Sequence, residues 1–307
     1  VCKISSLRLV IALIIHFGLK PCQVDVHTAY LHADIKEDIY VSEMPGYPLP
    51  PGKVYKLLKS LYGLPQAGRN WNDMLDAFLR SLGFRPLLED PCVYVLIENG
   101  KIVALFAVYV DDFIIGSDSD SREKWILENL RRKFKIKELG LPELILGITL
   151  NWIPSSIPNR FYDHAYLTIP KSIQVLLDML PGGASSIKVR SNPGNHLVTL
   201  TKAMCIPEEE KDAQTADAQS LYRSAVGLLI WIQQTIRYDI SYATQRLSSF
   251  LSSPGEHHWK ALIWLSGFQP PYSPDLLSCL DQQCVALITR LYHPSLTSPL
   301  PPDASNC

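Results

Sequence analysis

The sequence predicts an α+β chain built around a small antiparallel sheet, and three local patterns predict it. Leu7, Val10, Ile11, Ile14 and Ile15 recur at helical spacing near the start. Cys22 to Tyr30 then alternates, with Val24 and Val26 on one face and Gln23, Asp25 and His27 on the other, as a half-buried strand does. Farther on, the apolar runs Ile102 to Val110 and Phe113 to Ile115 flank Asp111-Asp112, which reads as a hairpin with two carboxylates at its tip.

The elements follow in order. The first helix occupies residues 1–20 and is stopped by Pro21. Trp71, Met74, Leu75, Phe78, Leu79 and Leu82 mark an amphipathic helix, with Gly83 where a C-terminal cap belongs. Asp120, with Glu123 three residues on, opens another helix, whose end runs into Arg131, Arg132, Lys133, Lys135 and Lys137. From Gly182 to Gln219 the pattern fades into Pro, Gly, Ser and charge, a linker or long surface loop. Helices are expected at 220–234, 240–251 and 256–266, the first with Tyr222, Val226, Leu229 and Ile230 on its apolar face. Residues 268–307 hold seven prolines and no regular apolar period, which predicts a poorly ordered tail.

Composition narrows the class. Hydrophobic residues make up 47% and charged residues 19%, enough apolar material for a real core. A net charge of −1 argues against a strongly basic nucleic-acid binder and leaves room for a local basic groove. The seven cysteines form no C-x-x-C pair, and the eight histidines show no metal-ligand spacing; His257-His258 reads as an exposed helix face. A reduced intracellular protein without structural zinc is expected. Leu7 to Leu19 is too short to span a bilayer, and no signal peptide or membrane anchor is evident. Val1 in place of Met points to a piece of a longer polyprotein.

Adjacent carboxylates at a hairpin tip repel each other, so stability alone favours Asn-Gly over Asp111-Asp112. A divalent cation offsets that repulsion, and magnesium takes oxygen ligands from one or two carboxylates together with substrate phosphates. Asp25 supplies a third carboxylate if its strand lies beside the hairpin. Two metals about 3.5–4 Å apart on such carboxylates are suited to in-line phosphoryl displacement. Taken singly, an Asp-Asp turn is more often just a solvated turn.

The ordered series of motifs is more specific. Tyr109-Val110-Asp111-Asp112 resembles the Y-x-D-D box of reverse transcriptases, and Gln23 to Tyr30 resembles their first aspartate motif. Leu58 to Trp71, LKSLYGLPQAGRNW, is similar to a box of copia-type long-terminal-repeat retrotransposons. Asp90 to Tyr94, Glu138 to Gly140, Leu146 to Ile148, Tyr222 to Gly227 and His258-Trp259 follow in family order, so the resemblance covers about residues 1–265.

The resemblance implies a reverse-transcriptase palm on a small antiparallel sheet. Partial fingers and palm would occupy 1–180, a linker or surface loop 181–219, a helical thumb or connection 220–267 and the tail 268–307. It implies RNA-directed DNA polymerisation with two magnesium ions on Asp25, Asp111 and Asp112. Tyr30 would be the aromatic gate under the incoming sugar, Gln66 and Arg69 would lie near the nucleotide, and Tyr109 beside the primer end. Implied partners are an RNA or DNA template with its primer, deoxynucleoside triphosphates, and the integrase and ribonuclease H domains of the full-length Pol polyprotein. Virus-like particles in the cytoplasm, with the nucleus as a further compartment, are the implied location.

Departures from the pattern include Pro65, where many relatives carry a basic residue, Tyr238 in the R-P-D-I run, and the lost continuation after Trp264. A basic fingers segment and a ribonuclease H counterpart are also not found. These predict weak polymerisation, and they keep open the alternative of a decayed or repurposed fragment that folds and binds nucleic acid without polymerising.

Overall fold

The structure is a computed structural model that describes residues 1–268 apart from 43, 159, 184–186, 195–198 and 211–212. The proline-rich segment 269–307, expected to be poorly ordered, lies outside the described residues. The chain divides into two compact units, one of Val1–Pro142 with Ile153–Ala165 and the other of Glu143–Trp152 with 166–268 among the described residues. It is a mixed α and β structure with small antiparallel sheets.

In chain order the first unit holds α1 (Ile4–His16), β1 (Lys20–Val26), α2 (Ala29–His32), β2 (Tyr40–Val41), β3 (Tyr55–Lys56) and α3 (Ala67–Ser81). It continues with β4 (Arg85–Pro86), β5 (Val93–Glu98), β6 (Lys101–Tyr109), β7 (Asp112–Ser117), α4 (Asp120–Lys133) and β8 (Ile136–Gly140). Next come β9 (Leu144–Ile145), β10 (Ile148–Pro154) and β11 (Tyr162–Thr168), which form a three-stranded sheet in the order β11-β10-β9. The helices α5 (Pro170–Met179), α6 (Ala213–Thr235), α7 (Ser241–Ser248) and α8 (Glu256–Ser266) belong to the second unit.

Six strands of the first unit form one antiparallel sheet in the order β4-β5-β6-β7-β1-β8. The alternation read for β1 holds, since Val24 and Val26 are buried and Asp25 is half-exposed. Gln23 departs from it, because β1 is an inner strand and the amide is enclosed. The partner β5, not anticipated, is joined to β6 by the two-residue turn Asn99-Gly100, both at positive φ, a strong local hairpin signal.

Glycine, not Pro21, ends the first helix. Gly18 N–H donates to Ile15 and Leu19 N–H to Ile14, the paired bonds of a Schellman motif around a residue at φ +64°. Pro21 lies inside β1, opposite Gly116. The cap expected at Gly83 has the same pattern, with Gly83 bonded to Arg80 and Phe84 to Leu79. At α4 the capping residue is Ser119, whose Oγ accepts from Arg122 N, while Asp120 and Glu123 turn to the Lys20 ammonium at 2.5 and 2.9 Å.

The second unit is a helical core. Leu176, Tyr222, Val226, Leu229, Leu247 and Leu262 are all buried in one cluster, and Tyr222 Oη donates to the Leu247 carbonyl at 3.1 Å. α6 begins at Ala213, inside the stretch read as linker, and α7 is shorter than expected. His258 is fully buried rather than exposed, with Nδ1 accepting from Gly255 N and its ring stacked on Phe250. Burial lowers its pKa from the ordinary imidazole value. Among the described residues no helix is long and apolar enough to cross a membrane.

Candidate active site

Two of the three carboxylates meet through the sheet register. β1 and β7 are antiparallel neighbours, and Asp25 pairs with Asp112. Directly opposed residues on one face hold their Cβ atoms about 4.5–5.5 Å apart. Tyr109 pairs with Asp112 across the hairpin, so the two turn residues are Val110 and Asp111, not Asp111 and Asp112. The expected acidic turn is thus shifted by one residue, because Asp112 is held in the ladder by both neighbours.

The turn is strained and clamped. Val110 sits at φ +59°, a region a β-branched side chain rarely enters. Its carbonyl accepts from the indole N–H of Trp71 at 2.8 Å, and the next carbonyl, that of Asp111, accepts from Val26 N at 2.8 Å. Trp71 is itself buried and packed edge-on against Phe134 at 5.1 Å. A helix read only as amphipathic therefore supplies the peg that fixes the acidic turn.

Burial and neighbouring charge both act on Asp112. Burial raises the Asp112 carboxyl above the usual carboxylate range; a hydrogen bond from Gln23 Nε2 at 3.3 Å opposes the shift, and the charges of Asp111 and Asp25 add to it. On its other side Asp25 pairs with Lys137 of β8. Lys137 was legible only as part of a basic run, and Gln23 as a polar strand position at the start of the first aspartate motif. Their place beside the carboxylates needs the strand order.

The remaining expected residues sit on α2 and at the start of α3. Tyr30 is on α2 and stacks on Tyr62 with ring centroids 4.3 Å apart. A Cβ on Gly68 would stand 3.6 Å from the Tyr30 hydroxyl, which brings the first turn of α3 beside it. The Tyr62 hydroxyl is pushed up by burial and by the Asp111 charge. Gln66 occupies the N-cap position of α3 without capping it; its amide points to the Glu37 carboxylate at 3.5 Å. Arg69 is exposed in the first turn of α3.

Among the described residues no three His, Cys, Asp or Glu side chains stand gathered as a ready-made metal site. The donor chemistry nevertheless suits a hard divalent cation, being carboxylate oxygen on two adjacent strands and the turn that joins one of them to β6.

Residues 1–173 match the family model described as reverse transcriptase (RNA-dependent DNA polymerase). The chain belongs to the reverse transcriptase family. It is 34% identical over 270 residues to the retrovirus-related Pol polyprotein from transposon TNT 1-94 of Nicotiana tabacum, covering 86% of this chain and 19% of that protein. Identity to the corresponding polyprotein from transposon RE1 of Arabidopsis thaliana is 32%, covering 85% of this chain and 17% of the relative. The truncated transposon Ty1-A Gag-Pol polyprotein of Saccharomyces cerevisiae is 27% identical, over 76% of this chain and 19% of its own length. The chain thus spans less than a fifth of those Pol polyproteins, and its relatives are of the copia type named by the sequence motifs.

Proposed function

We propose that the chain is the RNA-directed DNA polymerase core of a copia-type retrotransposon, joining a primer 3′-hydroxyl to the α-phosphorus of a deoxynucleoside triphosphate with release of pyrophosphate. The observation that carries it is the Asp25–Asp112 pair with Asp111 at the clamped turn beside it. These three carboxylates would hold two magnesium ions. When bound, those ions supply Lewis acidity toward the reacting oxygens. Asp25, Asp111 and Asp112 would hold the ions in place, and the Trp71 and Val26 bonds restrain the turn that carries Asp111. Tyr30, braced by Tyr62, would bound the sugar and exclude a 2′-hydroxyl by bulk. Tyr109 would lie beside the primer end. Arg69 and Lys137 would offer cationic contacts to phosphates. Template, primer and nucleotide are the partners of this reading, and integrase and ribonuclease H its neighbours in a Pol polyprotein.

A second reading, a chain that folds and binds nucleic acid without polymerising, is favoured by Glu37. Its carboxylate holds the Gln66 amide and would repel a triphosphate there. Primer extension on an RNA template with magnesium separates the two. Template-dependent extension that vanishes in Asp111→Asn supports the polymerase, whereas oligonucleotide binding with no extension supports the second reading.

A further inference from the structure

The second unit contains a cavity of about 520 Å³ lined by Lys188, Arg190, His257, Lys260, Ile263 and Trp264, among others, and none of its lining residues is acidic. In a chain of net charge −1, such a concentration of cations is a local excess.

The wall is built rather than loose. Arg190 N donates to the Gly267 carbonyl at 2.8 Å, and the Arg190 guanidinium lies 3.8 Å over the Trp264 indole. The indole N–H of Trp264 donates to the Asn192 carbonyl at 3.2 Å. A Cβ on Gly267 would stand 2.2 Å from the Lys188 carbonyl oxygen, so the 188–190 segment lies flush against the end of α8. Lys260 pairs with Glu256 at 2.6 Å on the exposed side of that helix, a pair weak enough for a phosphate to replace. Among the described residues no carboxylate pairs with Lys188 or Arg190.

A cavity of a few hundred cubic ångströms takes a ligand of about nucleotide size. Lys188, Arg190 and Lys260 favour phosphate. A guanidinium 3.8 Å over an indole can offer its outer face to a planar base, and Ile263 adds apolar surface for the sugar. We propose that this cavity binds one nucleotide unit of a single-stranded nucleic acid, its phosphate on Lys188, Arg190 and Lys260 and its base on the Arg190–Trp264 stack. The proposal rests on the polynucleotide partner of the preceding section, but on none of the three carboxylates.

The full chain is titrated against fluorescein-labelled oligo(dT) of twelve residues, with anisotropy read from 50 to 300 mM NaCl. Lys188→Gln/Lys260→Gln should raise Kd about tenfold at 100 mM salt and flatten the log–log salt slope by about 0.7 per lysine removed. The exposed pair Lys53→Gln/Lys101→Gln should change neither. Arg190→Lys keeps the charge and loses the flat face, so it should weaken the oligonucleotide more than an abasic strand of equal length. Unchanged Kd and slope in the first double variant, with its thermal midpoint intact, would overturn the proposal. Displacement of the strand by free dTMP at equal concentration would overturn the strand assignment in favour of a free nucleotide; no displacement supports it. Lysine-dependent binding without primer extension defeats the polymerase reading alone, and extension with lysine-independent binding defeats the cavity proposal alone.

Discussion

The two units solve opposite problems. The first places acidic groups where they repel, at the meeting of β1 and β7, and spends local backbone comfort to do so at Val110. The second does the reverse: α6, α7 and α8 interdigitate Tyr222, Leu229, Leu247 and Leu262 in an apolar cluster, with the Tyr222 hydroxyl bonded to the Leu247 carbonyl inside it. Strain and like charge gathered at one point, against apolar packing spread over several helices, distinguish a site from a scaffold.

The sharpest way to break that contrast is at the carboxylates. Asp111→Asn should lower primer extension at least about a thousandfold, on the order of 4 kcal/mol of barrier. It should leave the thermal midpoint unchanged or higher, since it removes a charge that Asp112 feels. An active variant, or one that is inactive because it unfolds, would make Asp111 a structural residue.

A core truncation tests the other side. Leu262→Ala opens a cavity in a fully buried position and should cost about 2–5 kcal/mol. Hydrogen exchange should show the loss in α6 and α8 amides and leave those of β1, β6 and β7 protected. Uniform loss across both units would mean they fold as one cooperative block.

Trp71→Phe probes the clamp. It keeps a ring in place and removes the donor to the Val110 carbonyl, a loss of roughly 1–2 kcal/mol. Extension should fall by more than the fraction unfolded, because the freed turn no longer fixes Asp111. Val110→Gly relieves the positive φ and should recover part of the stability in denaturant melts without recovering activity. Full recovery of activity would show that strain, not the indole bond, limits the site.

The smallest effect is in pH. The folded-state pKa of His258 is depressed below its ordinary value near 6.5, so below that pH the unfolded chain binds a proton the folded chain refuses. Second-unit stability should fall as pH drops through 6.5, by at most about 1.4 kcal/mol per pH unit, and stay flat above it. Asp112 runs the other way. Its raised pKa means the folded state holds the proton longer, so acidification from just above the carboxylate range should favour the first unit. Unit-resolved exchange at pH 7 and pH 5.5 checks the histidine half, and parallel slopes in both units would refute the contrast.

Much of this protein was determined by local sequence. The alternation at Val24 and Val26, the apolar stripe from Trp71 to Leu79, the Gly83 cap and the runs flanking Asp111-Asp112 each encode an element through contacts a few residues apart. The order of the motifs around Asp25, Leu58 to Trp71 and Asp111 also pointed to the family, which the match over residues 1–173 shows. Only the tertiary structure decided which side chains share a point. That Gln23 reaches Asp112, that Lys137 faces Asp25, that Trp71 holds the Val110 carbonyl and that His258 is buried all depend on strand order and helix docking. Each such contact joins residues far apart in the chain or set by a neighbouring element, and periodicity reports only which face of an element is apolar, not what that face will meet.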